Sequence, residues 1–286
     1  MEAAAAALST NLLATDPAAP AGSDAPFRLV LDLEAWAPRL EGNFEDGSGP
    51  DGDEVDVRTP DLHDMELVLT GALTARRGRL GVGIRGFSFS TSGGGTADDA
   101  FTLADVGVGA GDAFDSSFSW WSAGAEVRYD LYTPLAERRY AWSEPRAGWK
   151  PSANRTELPV FVLVAADIGS IERTIVNRTT GASSDANEAF VTLMAGAGFE
   201  LSFDAGAVPF VERVTVGARA EAGLAVPPGD GDLGGAARVE ASIAAQFRCG
   251  ASAFFGYRFL GISLDGDEVD LDGSLQGLRA GVSFEF

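Results

Sequence analysis

Gly277-Leu278-Arg279-Ala280-Gly281-Val282-Ser283-Phe284-Glu285-Phe286 closes the chain, and it alternates. Leu278, Ala280, Val282, Phe284 and Phe286 share one parity; Arg279, Gly281, Ser283 and Glu285 share the other. Successive side chains of a strand point to opposite faces. This segment therefore has one apolar and one polar face, as a strand set between lipid and a polar lumen requires.

The same pattern recurs upstream. Phe27, Leu29, Leu31, Leu33 and Ala35 alternate with Arg28, Val30, Asp32, Glu34 and Trp36. Leu67, Leu69 and Leu73 oppose Glu66, Thr70 and Thr74; Leu80, Val82 and Ile84 oppose Arg79 and Arg85, after a tight turn at Arg77-Gly78. Further alternating segments are expected over 121–131, 191–200, 213–221, 238–248 and 251–264. The segment 159–172 is more uniformly apolar, so its facing stays open. With the terminal strand the count is about ten, eight and twelve being the neighbouring even numbers.

Composition narrows the classes. A chain of 286 residues suits one large all-β domain. No run of about eighteen apolar residues is present, which leaves no spanning helix. A closed barrel is the other way to satisfy every backbone group inside hydrocarbon. The expected fold is an all-β, closed, antiparallel, up-and-down transmembrane β-barrel over residues 26–286. Residues 1–25 read as a flexible leader or the remnant of an export segment, although Met1-Glu2 and five alanines lack the features of a secretory signal. The net charge of −21 argues against nucleic acid as a partner. Cys249 is the sole cysteine, so no internal disulfide forms.

The closing run resembles the last strand of bacterial outer-membrane β-barrel proteins, in which a C-terminal aromatic such as Phe286 is familiar. Leu31-Asp32-Leu33-Glu34-Ala35-Trp36-Ala37-Pro38-Arg39-Leu40 is similar to the first strand of small members of that group, and Gly256-Tyr257-Arg258-Phe259-Leu260 to a later one. The resemblance implies a Gram-negative outer-membrane location, contact with outer-membrane lipid and lipopolysaccharide, and delivery to the barrel-assembly machinery through the Phe286 strand. It implies no activity, because the fold hosts adhesins, porins, lipid-modifying enzymes and proteases.

Taking the polar parity as inward gives a lumen containing Asp32, Glu34, Arg85, Glu126, Arg128, Arg219, Glu221, Arg238, Glu240, Arg258 and Arg279, with Glu66, Arg79, Asp130, Glu200, Arg213, Arg248 and Glu285 on the same parity. Acids and arginines are equal in number there, while the whole chain is strongly acidic. Unpaired charges in a narrow interior are costly, so these should pair. An eight- to ten-stranded barrel has room for little but side chains. The expectation is a lumen filled by an Arg/Glu/Asp network.

Other motifs weigh less. Asp51-Gly52-Asp53-Glu54-Val55-Asp56 recurs as Asp265-Gly266-Asp267-Glu268-Val269-Asp270. Clustered carboxylates with glycine suit Ca²⁺, but neither copy has the EF-hand spacing, and solvated acidic loops are the plainer reading. His63, the only histidine, lies between Asp61 and Asp64 without a matching second motif. Paired acids such as Glu126 with Asp130, or Glu221 with Glu240, have arginines nearby that favour the ionised form. Trp120, Trp121, Tyr129 and Tyr132 suit interfacial girdles. No cofactor or metal fingerprint is present. The expected role is structural or surface-interacting, as a monomer. A narrow porin-like channel is the alternative, and a barrel enzyme acting on lipid or peptide comes third.

Overall fold

The computed structural model describes residues 27–45, 54–132, 156–205, 208, 210–229, 231–266 and 268–286. The leader, Asp51 to Asp53, Asp267, and the connection bearing Arg138, Arg139, Arg146 and Lys150 lie outside them.

Ten long strands form the wall: β1 (Phe27–Glu45), β2 (Val68–Arg77), β3 (Leu80–Thr96), β4 (Ala113–Tyr132), β5 (Val160–Asn177), β6 (Ser183–Asp204), β7 (Val211–Val226), β8 (Asp232–Phe247), β9 (Ala251–Asp265) and β10 (Asp270–Glu285). Each pairs antiparallel with its sequence neighbour, and β10 pairs with β1 from Val30↔Glu285 to Glu45↔Asp270, closing the ring. The seam extends to the last residue, because Leu29 and Phe286 exchange backbone bonds of 3.1 and 2.9 Å. Closure leaves no edge within the belt that faces lipid.

Most strands outrun the alternating segments read from the sequence, because the apolar parity inverts partway along them. In β1, Leu29, Leu31 and Leu33 face outward while Asp32 and Glu34 face inward; past that level Trp36, Leu40 and Phe44 turn inward and Arg39 and Glu41 outward. In β4 the outward row Trp121, Ala123, Ala125, Val127, Tyr129 and Leu131 gives way above to inward Trp120, Phe118 and Phe114. The rows of β3 (Ile84, then Phe87 and Phe89), β9 (Phe259, then Leu260, Ile262 and Leu264) and β10 (Leu278, then Leu275 and Leu271) do the same. A wall greasy outside and charged inside belongs in a bilayer. A wall polar outside and greasy inside belongs in water. The inversion marks where each strand leaves the membrane. The outward row of β4, residues 121 to 131, matches the roughly 9–11 residues of a tilted spanning strand.

The barrel thus has two storeys. The lower is charged. The upper is an apolar core that includes Trp36, Phe44, Phe89, Phe118, Trp120 and Phe190. Its rings touch in sequence: Trp36 and Phe87 at 5.6 Å, Phe87 and Trp120 at 5.9 Å, Trp120 and Phe190 at 6.2 Å. Each fully buried aromatic contributes about 2–3 kcal/mol relative to exposure. Trp120 therefore does not belong to an interfacial girdle; it is 4% exposed, whereas its neighbour Trp121 is 41% exposed on the outer wall.

Three segments cap the upper storey. A hairpin of Phe101–Leu103 and Val106–Val108 turns through Ala104 and Asp105, both at positive φ, and buries Leu103, Val106 and Val108. The strand Glu54–Asp56 pairs with the end of β1, and Val55, Val57 and Leu62 follow it into the core. The β9–β10 connection reaches across to β6: Asn187 N donates to Glu268 Oε2 at 3.0 Å, and Glu268 N donates to Glu188 Oε2 at 3.1 Å. Val55 and Val269, equivalent in the repeated hexapeptide, are both buried. The repeat therefore supplies an apolar anchor at two points of the cap.

Candidate functional site

The lower storey is where the sequence concentrates chemistry. Arg85 from β3 bridges Glu126 on β4, Asp167 on β5 at 3.3 Å and Glu221 on β7 at 3.6 Å. Arg238 from β8 meets Asp167 at 2.7 Å and Glu221 at 3.2 Å. Arg219 meets Glu126 and Glu240, both at 3.0 Å. Arg258 and Arg279 each join Glu34 to Glu240, at 2.8 and 2.8 Å for the first and 3.0 and 3.2 Å for the second. These five arginines and five carboxylates form one connected chain of pairs drawn from eight of the ten strands. Each guanidinium is shared by at least two carboxylates, which its planar fork permits.

Below it lies a smaller group. Arg128 pairs with Glu200 and, at 2.9 Å, with Asp130; its guanidinium stacks 3.6 Å over Phe161. Arg213 meets Glu157 at 3.1 Å. Asp32 lies opposite Ser283 in the register, outside the ion-pair chain. Arg79 and Arg248 do not face the lumen; both are exposed in the tight turns that join β2 to β3 and β8 to β9. Glu66 precedes β2, and its N–H bonds the Pro38 carbonyl at 3.0 Å.

Asp167 escaped the sequence reading. It stands in the apolar strand whose facing was open, where Phe161, Leu163 and Ala165 share its inward parity. The available signal was its isolation as the one charge between Val160 and Ile171. Room for it comes from β4: a Cβ on Gly124 would collide with the Asp167 carboxylate. Glycine here is a matter of space, since the network needs a wall of low side-chain volume opposite its largest groups.

The two storeys meet at Trp36, over whose ring Arg258 sits at 5.2 Å. Between them is a cavity of about 30 Å³ lined by Phe87, Trp120, Ser122, Asp167, Thr192 and Arg238 among others. That is room for about one water. His63 lies outside the lumen, its Nδ1 3.9 Å from Asp61 Oδ1. Among the described residues no group of three or more His, Cys, Asp or Glu is arranged to hold a metal ion. In the cap, Asp112 accepts bonds from Gly109 N at 2.8 Å and Asn177 Nδ2 at 3.1 Å. The Gly109 amide, then the Asn177 side chain, hold its carboxyl below the usual aspartate value.

An even-stranded closed barrel with an apolar outer belt and a charged interior defines a transmembrane β-barrel of the bacterial outer-membrane class. No family model matches the chain, and no curated protein matches it. Among solved structures it is similar to the outer membrane protease OmpT from Escherichia coli, at 7% identity over 91% of this chain and 96% of that one, with a TM-score of 0.39. It is also similar to the translocator domain of the autotransporter NalP from Neisseria meningitidis, at 12% identity over 99% and 97% of the two chains with a TM-score of 0.35. The attachment invasion locus protein Ail of Yersinia pestis gives 12% identity over 91% and 98%, with a TM-score of 0.33. The ring of strand pairs, not these distant likenesses, defines the class.

Proposed function

We propose that this protein is a closed, non-conducting outer-membrane barrel that acts through its outer end, as a structural or surface-interacting protein. The observation that carries this reading is the apolar upper storey seated on the ion-pair network. An ion crossing the barrel would have to break charge pairs and then traverse a ring-packed core, and a buried unpaired charge costs several kcal/mol in either place. The outer end is where the acidic excess collects, in Asp61, Asp64, Asp98, Asp99, Asp105 and Asp185 among others. In the bilayer the barrel would stand as a monomer among lipopolysaccharide, with its Phe286 strand as the segment offered to the assembly machinery.

Planar-bilayer recording tests the reading. The purified, folded barrel should give no stable single-channel steps. Reproducible steps whose ion selectivity shifts on charge reversal at Arg219 or Glu240 would instead support the narrow conduit.

A further inference from the structure

A notch interrupts the outer wall across β8, β9, β10 and β1, at the upper rim of the apolar belt. Its volume is about 500 Å³, within the range of small-molecule sites. Two irregularities border it. β8 shifts register against β9 between Asp232 and Gly235, and a shift of this kind bends a strand. Gly42 of β1 stands at φ +126°, so close to β10 that a Cβ would meet the Asp272 carbonyl oxygen at 2.2 Å. Between these points the outward side chains are small: Gly235 and Ala237 on β8, Gly261 and Ser263 on β9, and Ser274 on β10. The notch is thus a stretch of wall from which the sequence withholds bulk.

The rungs beneath it fix its depth in the membrane. Tyr257 pairs with Leu278 and Val239 with Phe259, all four on the outward parity. The Tyr257 hydroxyl donates to Gln276 Oε1 at 2.8 Å, a polar tip on an apolar body, as suits a lipid–water boundary. The Phe259 ring lies against Gly261, its nearest carbon 3.0 Å from where a Cβ would stand. The lower side of the notch is therefore apolar. The other side is made mostly of acceptors: Asp272, Ser263 and Ser274, with Glu41 and Asn43 from β1. Arg39 and Arg58 occupy Glu41 at 2.7 and 2.8 Å, and Asn43 Nδ2 donates to Glu54 Oε2 at 3.0 Å. The Asp272 carboxylate is exposed and has no ion pair among the described residues. Among those residues no lysine or arginine lines the notch.

We propose that the notch holds the sugar ring of an outer-leaflet glycolipid. Ring hydroxyls donate to Asp272 and to the Asn43 side-chain oxygen, the ring rests against Phe259, and the acyl chains continue down the belt over Tyr257 and Leu278. Place selects a lipid, because the apolar side of the notch runs without a break into the belt. Charge selects a sugar over a phosphate. The uncompensated carboxylate repels an anion, and on being covered it needs donors, which hydroxyls supply. A divalent cation is disfavoured, since among the described residues no group of three metal-ligating side chains forms.

This inference rests on the reading of the barrel as a surface-interacting protein, and its test is separate from conductance. The full barrel is placed in nanodiscs of phosphatidylcholine alone. Dodecyl glucoside, dodecyl phosphate and free glucose are titrated in, each read by amide shifts at Gly261, Ser263 and Ser274. Dodecyl glucoside should give saturable shifts and bind at least tenfold more tightly than either of the others. Gly235→Leu sets a side chain in the notch, where a Cβ meets nothing within 4 Å, and should weaken dodecyl glucoside at least tenfold. Asp272→Ala should weaken it about tenfold, as losing one bond to a charged group does. Should Gly235→Leu fail to fold, Asp272→Ala and the three probes on the unaltered barrel still decide. Shifts that never saturate mean partition into the bilayer only, tighter binding of dodecyl phosphate means an anion site, and equal binding of free glucose means a soluble glycan. Each of these overturns the proposal. A barrel silent in bilayers that ignores dodecyl glucoside sinks this inference only, whereas one that conducts sinks the closed-barrel reading.

Discussion

Glu240→Gln probes the network at a carboxylate that meets three arginines. Glu240 meets Arg258 at 2.8 Å, Arg219 at 3.0 Å and Arg279 at 3.2 Å. Charge-assisted bonds are worth about 1.5–3 kcal/mol each, so three lost at once would sum to about 4.5–9 kcal/mol. The arginines are not abandoned, however. Arg219 keeps Glu126 at 3.0 Å, and Arg258 and Arg279 keep Glu34 at 2.8 and 3.0 Å. The expected loss is therefore about 3–5 kcal/mol, the range for breaking a buried pair. Urea unfolding in lipid vesicles, extrapolated linearly, measures it. Adding Arg279→Gln restores the charge balance and should recover at least about 1 kcal/mol relative to the sum of the single changes. Glu41→Gln is the control: Glu41 pairs with Arg39 at 2.7 Å and Arg58 at 2.8 Å on the outer surface, where a pair is worth about 0–1 kcal/mol. A loss below about 1 kcal/mol at Glu240, or strict additivity with Arg279→Gln, would refute the idea that the lumen is held by coupled charges.

Four further outcomes follow from the geometry. Gly124→Ala should cost about 1–3 kcal/mol in the same unfolding assay, because the new methyl displaces Asp167 from Arg85 and Arg238; Gly107→Ala, where a Cβ meets nothing within 4 Å, should stay within about 0.5 kcal/mol of the parent. Trp36→Ala removes a fully buried ring from the floor of the apolar storey and should cost about 3–5 kcal/mol, read as a lowered unfolding midpoint. In variants retaining a single tryptophan, brominated lipid should quench Trp121 and leave Trp120 untouched; the reverse would invert the assignment of wall and core. The lowered Asp112 carboxyl stabilises the cap at pH values above its ordinary 3.8, and that contribution disappears as pH falls through its lower folded value. Amide exchange at Gly109 should therefore accelerate in that acid window, and Asp112→Asn should abolish the acid dependence.

The sequence alone determined that strands cross a bilayer and about how many there are, and it placed many of the inward charges, although it missed Asp167 and counted Arg79 and Arg248 among them. A period of two with one greasy parity has few other solutions once spanning helices are excluded, and each of the residues 34, 85, 126, 219, 221, 238, 240, 258 and 279 could be assigned to the inward row by counting. Two features were written in the sequence but pass unnoticed when only one phase is followed: the parity inversion at Trp36, Phe87, Trp120 and Leu275, and the lone Asp167 in an apolar run. The tertiary structure decided the rest. Which arginine meets which carboxylate depends on strands far apart in the chain being brought together: Glu34 and Arg279 become neighbours only where β10 closes on β1, and Arg85 on β3 reaches Glu221 on β7 only across the lumen. The path of the segment 57–67 is likewise tertiary: its backbone bonds Pro38 and Gly42 of β1, and its Pro60 carbonyl accepts from Ser116 Oγ of β4. Alternation is a local property of the chain, whereas pairing across a closed ring is a property of its closure, which no single strand encodes.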